Sequence, residues 1–358
     1  MVSRDTPAAP RVSVVIRSYN RIPALCELLA AILGQRHDSF EIVVVDQSRA
    51  VPPEAAARFA ELCADPRVRL LRHPPLGGPR ARNVGVQAAR GELILLMDDD
   101  DLPADDQWIA ALVRNFDDPL CLAVTGRQQV QGEPPPSERA LERARRDVLS
   151  FVPVLMWQRV MARADRRKRV ASVLGGNVAI RRSAIERFGL WDECTPIEDE
   201  LSFCFRLHAG KRPDEYLLFD PEAVMIRRLD IPGGMNKRTM SPERFTSKLF
   251  TYFHNIVGHY YPVRFVALYP AYYVLAYVIA CDYEYGHLAG ARRTLRLGLL
   301  FLELPFLWTG WLAGWTWRRV RDGAPPRAPS LTPRPGAADA QPPVLAGSAG
   351  VRLRSPHM

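Results

Sequence analysis

Asp98-Asp99-Asp100-Asp101 follows without a break on the apolar run Leu93-Ile94-Leu95-Leu96-Met97. Neighbouring carboxylates repel one another, and each becomes harder to ionise near a dry interior. A hard divalent cation with oxygen ligands relieves both effects, and from the same position it would hold a phosphate-bearing substrate. A solvated acidic loop capping the next helix is the simpler alternative for this stretch alone. A second acidic group, Glu198-Asp199-Glu200, lies about 100 residues further on. It opens a helix carrying Leu201, Phe205 and Leu207, where acids are also favoured by the helix dipole. Together the two clusters suit a reaction in which one set of carboxylates manages a phosphorylated leaving group and another takes a proton.

Such side chains need elements to aim them. Val12–Ile16, Phe40–Val45, Val68–Leu71, Leu93–Met97 and Cys121–Thr125 read as strands, with Val173–Ile180 a turn feeding another. Helical spacing marks Ile22–Leu33, Pro53–Cys63, a stretch from Arg80 to Gly91, Asp106–Phe116 and Arg182–Phe188. Pro74–Pro79 is a glycine-proline loop. This alternation predicts an α/β fold, a mostly parallel sheet covered on both faces. The Val, Ile and Leu-rich strands at 12–16, 42–45 and 93–97 each give way to polar residues. Those residues should share one sheet edge and line one crevice with Tyr19, Asp46 and Asp98–Asp101, where open α/β sheets bind ligands.

The remaining sequence sets the class. The 358 residues carry a formal charge of +9, with 47% hydrophobic and 24% charged residues, as in ordinary globular proteins. The positive balance favours phosphate-rich partners or an anionic surface. The basic residues are not interleaved with aromatics on a recognisable module, so no nucleic-acid partner is expected. Six cysteines, at 26, 63, 121, 194, 204 and 281, are too scattered for a zinc site. With no secretory run at the N-terminus, they fit a reducing cytoplasmic setting. The basic run Arg159–Arg169 reads as a solvated helix face or as a contact for an anionic acceptor or lipid headgroup. Phe265–Cys281 has no charge, and Leu297–Trp317 has Glu303 alone. Both approach the length of a membrane span, and the second ends in tryptophans and arginines. We expect membrane attachment here, as a hairpin or lying in the surface, with a buried helical hairpin as the competing reading. The division expected is a catalytic domain at 11–235, a helical apolar extension at 236–322 and a disordered Pro/Ala/Gly-rich tail at 323–358.

Read together, Ser13–Arg21, Ile42–Ser48, Gly77–Gly85, Leu96–Asp101, Leu174–Arg181, Phe188–Glu193 and Glu198–Glu200 resemble, in order and spacing, the inverting family 2-like glycosyltransferases. The resemblance covers roughly residues 11–230. It implies a single Rossmann-like domain of GT-A type holding both the nucleotide and the acceptor. It further implies that Asp46 accepts a hydrogen bond from the base, usually uracil or thymine, and that the backbone near Tyr19 and Arg21 flanks that base. Arg82 and Asn83 would shape the nucleotide pocket. Asp100 would bind Mg²⁺ or Mn²⁺ directly, and Asp98 would meet the ribose or an ion-bound water. Asp99 and Asp101 could exchange some of these duties. Asp199 would be the base taking the acceptor's proton, its proton affinity raised by Glu198 and Glu200. Gly176 and Asn177 are candidates for the diphosphate or acceptor.

Two departures from the family qualify this. The Q-x-x-R-W signature of processive synthases is missing, which favours transfer of a single sugar. Where relatives carry a histidine after the last strand, this chain has Arg227-Arg228, so that these arginines, or His254 folding back, would serve the diphosphate. His37, His73 and His208 read as surface or structural. The function implied is transfer of one sugar from a UDP- or dTDP-linked donor to a hydroxyl acceptor, in cell-surface glycan or glycolipid assembly on the cytoplasmic side of the membrane. A lipid-linked glycan or a small soluble aglycone would be the acceptor. A nucleotidyltransferase and a non-catalytic sugar-nucleotide-binding module are the alternatives.

Overall fold

The computed structural model describes residues 11–146, 164–193 and 199–231, together with positions 302, 305, 306, 309 and 313. The first half follows the expected alternation: β1 (Val12–Ser18), α1 (Ile22–Leu33), β2 (Phe40–Asp46), α2 (Pro53–Cys63), β3 (Val68–Arg72), α3 (Gly78–Ala88) and β4 (Leu93–Asp98). β1 pairs in parallel with β2 and β4, and β2 with β3. These strands are apolar along their length because both faces are covered. Val12, Val14, Ile16, Ile42, Val44, Leu93, Leu95 and Met97 pack with Leu25, Leu28, Leu29 and Ile32 of α1 and with Phe59 of α2 in one core. On the other face α3 presses so closely that a Cβ added to Gly85 would lie 2.4 Å from Val15 Cγ1.

The second half is mixed. After β5 (Asp101–Pro103), α4 (Trp108–Val113) and a 3₁₀ turn (Arg114–Asp117) come β6 (Cys121–Val130), α5 (Glu138–Arg146), β7 (Lys168–Val170), β8 (Val178–Arg181), α6 (Arg182–Phe188), α7 (Asp199–Gly210) and β9 (Tyr216–Arg227). All strands join one sheet in the order β3-β2-β1-β4-β8-β6-β9-β5, with β7 also paired to β9. β8 runs antiparallel to β4 and β6, and β9 runs parallel to β6 but antiparallel to β5 and β7. Parallel pairing thus dominates the first half only. Part of the basic run enters the sheet as β7, where Arg169 lies over the Tyr216 ring at 4.4 Å and Arg167 reaches buried Asp220 at 3.0 Å. His208 is structural, its Nε2 against the Ala171 carbonyl.

Among the described residues no helix is long and apolar enough to cross a membrane. Phe265–Cys281, His254 and the 323–358 tail lie outside the described residues, as does the 236–322 extension apart from the isolated positions named above.

The sheet's other edge holds a buried carboxylate. Glu41 accepts from Ser13 Oγ at 2.7 Å, from the Arg90 amide at 2.6 Å and Nε at 2.9 Å, and from Arg69 Nη1 at 3.3 Å. Burial pushes its pKa up, but these donors outweigh burial and hold it below the usual carboxylate value. A group depressed in the folded state stabilises the fold above its unfolded pKa and stops doing so as pH falls through the folded one. Glu41→Gln is therefore expected to melt below the native protein at pH 7. The gap should close as both are titrated below about pH 4; a gap independent of pH would contradict the assignment.

Candidate functional site

The parallel register decides what meets at the sheet edge. Ser18 lies opposite Asp46, and Arg17 opposite Asp98. The loops beyond are tied together: Gln47 N donates to the Ser18 carbonyl at 2.9 Å, and Asn20 N to Ser48 Oγ at 2.8 Å. Tyr19 is exposed beside this junction. Asp46 is buried. Its Oδ1 accepts from Ser48 N at 2.9 Å, while Oδ2 has no hydrogen-bond partner, with Arg72 Nη1 4.0 Å away. A buried carboxylate oxygen without a donor is costly unless something with an N–H or O–H arrives.

The four aspartates do not point one way. One carboxylate oxygen from each of Asp98, Asp100 and Asp101 lies within 4.8 Å of the other two. Asp99 turns aside, accepting from Ser18 Oγ and Arg21 Nη1, both at 2.7 Å. Asp101 joins the triad because β5 begins there and pairs with Arg227 of β9; its Oδ2 is buried and without a partner. Arginines surround the cluster. Arg17 reaches Asp98 Oδ1 at 3.2 Å, Arg21 reaches Asp100 Oδ2 at 3.1 Å, and Arg227 reaches Asp101 Oδ1 at 3.4 Å. Burial alone would raise the pKa of Asp98, but Arg17, Arg82 and Arg227 outweigh it and hold it at about 2. Burial lifts Asp99 to about 6 against the pull of Arg21, and burial, with Asp98 and Asp100 beside it, raises Asp101 well above the usual carboxylate value. Three carboxylates this close, with one Asp101 oxygen lacking a partner, fit a hard cation such as Mg²⁺ or Mn²⁺.

A glycine pair connects this cluster to α7. A Cβ added to Gly176 would lie 3.4 Å from Asp98 Oδ2 and 3.5 Å from Asp101 Oδ2, so the bare backbone forms one wall of the triad. A Cβ on Gly175 would lie 2.9 Å from Glu200 Oε2. Arg82, buried on α3, donates to the Gly175 carbonyl at 3.1 Å and lies 5.5 Å from the Trp191 ring centroid. The first turn of α7, which begins at Asp199, therefore borders the loop that walls the triad. Glu198 lies outside the described residues.

Three predicted site residues have partners within the protein. Asn83 donates to the Trp191 carbonyl at 2.8 Å and accepts from the Trp191 amide at 3.0 Å, clamping the turn after α6. Asn177, at φ +57°, accepts from Trp108 Nε1 at 2.7 Å and donates to the Arg127 and Ala223 carbonyls at 3.0 Å. Arg228 pairs through its side chain with Glu27 of α1 and Asp230, while its amide donates to the Asp100 carbonyl at 3.1 Å. Conversely, Arg17 had no role in the sequence reading. Its signal was its place at the end of β1, one residue before Ser18, but only the register shows Asp98 opposite.

Residues 13–189 match the family model for glycosyl transferase family 2. Over these residues the chain is a family 2 glycosyltransferase domain. A glycosyltransferase of Bacillus subtilis, YwdF, is 41% identical over 91 residues, which cover 25% of this chain and 33% of that protein. The succinoglycan biosynthesis protein ExoO of Rhizobium meliloti is 35% identical over 99 residues, 27% of this chain and 28% of its own. The chain thus matches a third or less of the length of these two relatives. Among solved structures, the mannosyltransferase PcManGT from Pyrobaculum calidifontis, in complex with GDP-Man and Mn²⁺, aligns with a TM-score of 0.51 at 20% identity, covering 88% of this chain and 89% of that one. At this identity the likeness establishes the shared GT-A fold.

Proposed function

We propose that the family 2 domain moves one sugar from a UDP- or dTDP-linked donor to a hydroxyl acceptor, in a single inverting step. The observation that carries this reading is the orphaned Oδ2 of Asp46 on the same sheet edge as the acidic triad and the α7 border. Asp46 would accept the N–H of the base, fixing the nucleotide so that its diphosphate lies over Asp98, Asp100 and Asp101. A divalent cation on these three would neutralise the charge that builds on the departing diphosphate. Asp199, at the start of α7, would accept the proton as the acceptor oxygen bonds to the anomeric carbon and the bond from that carbon to the phosphate oxygen breaks. The nucleoside diphosphate leaves from the face opposite the attack, which inverts the anomeric centre without a covalent sugar intermediate. The kinship with ExoO supports an acceptor in envelope polysaccharide assembly, and the late apolar stretches support work at the cytoplasmic face of a membrane.

Thermal-shift titration of UDP-, dTDP- and GDP-sugars with Mn²⁺ tests the donor. A UDP- or dTDP-sugar should raise Tm only with the cation present. Asp46→Asn should weaken that nucleotide about tenfold or more, the worth of a hydrogen bond to a charged acceptor. Stabilisation by the GDP-sugar alone would overturn the choice of base. No response to any donor, or pyrophosphate as the product, would overturn the reading itself.

A further inference from the structure

The triad does not wait bare for a cation, because each of its members is held through one oxygen by its own arginine. Arg21 is shared between Asp99 and Asp100 with its side chain 11% exposed. Arg227, the last residue of β9, and Arg17 are more open to the crevice, their side chains 22% and 25% exposed. Arg17 also lies against a helix end. Its Nε and Nη2 both meet Asp98 Oδ1 at 3.2 Å. Its Nη1 lies against the first turn of α3, where Gly78 leaves the room: a Cβ there would be 2.4 Å away. A helix's first turn favours an anion over a cation. Arg17 therefore sits where a phosphate would be bound by both the guanidinium and the helix end, between the base-reading Asp46 and the triad.

We infer that Arg17 makes cation binding conditional on the nucleoside diphosphate: it neutralises Asp98 in the free protein and transfers its charge to the diphosphate when the donor arrives. The inference rests on the sugar-nucleotide reading above. Bare Mn²⁺ faces a cluster whose charge is already balanced, and its gain is small. Once the diphosphate engages Arg17, the Asp98 carboxylate is no longer paired and is open to the cation, so each ligand strengthens the other by the same factor.

The test is Mn²⁺ affinity, read from the free-ion electron paramagnetic resonance signal, with and without UDP or dTDP. The native protein should bind Mn²⁺ weakly alone and at least tenfold more tightly with nucleotide. Arg17→Met and Arg17→Gln should each bind bare Mn²⁺ about tenfold more tightly than native, because one positive charge beside a ligand is gone, and the nucleotide's enhancement should shrink by about the same factor, leaving only the direct attraction between cation and diphosphate. Arg17→Gln retains a donor for Asp98, so agreement between the two assigns the effect to charge. Arg17→Lys, which keeps the charge, should behave as native. Weaker Mn²⁺ binding in both neutral variants, with the nucleotide's enhancement intact, would make Arg17 a mere anchor for Asp98 and overturn the inference. Native protein that takes up no Mn²⁺ with any nucleotide would overturn the underlying reading instead. Should Arg17→Met fail to fold, Arg17→Gln and Arg17→Lys alone separate these outcomes.

Discussion

Asp199→Asn should lower kcat by about 10³-fold, within the range a general base contributes, while nucleotide affinity stays close to native. The expectation follows from where the two proposed functions fall. The donor would be gripped at the ends of β1, β2 and β4, by Asp46 and the triad. Asp199 opens α7, whose first turn borders the Gly175–Gly176 loop. An amide at 199 cannot take a proton, but it leaves those strand ends untouched. Single-turnover transfer alongside nucleotide titration measures both. Loss of nucleotide binding in proportion to loss of transfer would remove Asp199 from the role of base and return it to building the donor pocket.

Asn177→Leu should destabilise the domain by about 4 kcal/mol, the combined cost of unpaired buried polar groups and a strained backbone. That corresponds to a Tm fall of about 10 °C in a domain of this size. Three groups lose their partner at once: the indole N–H of Trp108 and the carbonyls of Arg127 and Ala223. The positive φ of residue 177, which Asn tolerates, becomes a penalty for Leu. Asn177→Gly should do less harm, since it relieves the backbone and forfeits only the hydrogen bonds. Asn177→Asp should be nearly as harmful as Leu, because a carboxylate oxygen would face two carbonyls. Chemical denaturation checks the series. A Leu variant within about 1 kcal/mol of native would show that water or rearranged neighbours replace the amide.

The first half of the fold was legible because its physics is local. Val12–Ile16, Ile42–Val45 and Leu93–Met97 are apolar on both faces, and each run stops at a polar residue, so strand identity and the shared edge follow from composition and order. The second half was not, because its information lies in pairings. Asp101-Leu102-Pro103 is too short to show a period, yet it becomes a strand by meeting Arg227-Ile226-Met225. That pairing decides which three of four aspartates face one another. Four adjacent acids in sequence call for a balancing cation. Arg17 and Arg227 supply charge from positions far away in the chain, beyond the reach of a window of neighbours. The resemblance implies ligand contacts for Asn83 and Asn177, but their amides meet groups of the protein itself: backbone of Trp191, Arg127 and Ala223, and the Trp108 indole.

The strand at one margin of the sheet, Val68–Arg72, has a further bearing on how the chain behaves at high concentration. Among the described residues it ends the strand order, with one side of its backbone beyond the β2 pairing. An open margin of this kind is a template on which a neighbouring molecule can add its own strand. Here it is short and carries Arg69 and Arg72, the first anchored on Glu41 and the second lying over Phe59 at 5.7 Å. Two cations on five residues make stacking margin to margin self-repelling, so the chain guards against aggregation with a strand whose Arg69 also braces the interior carboxylate of Glu41.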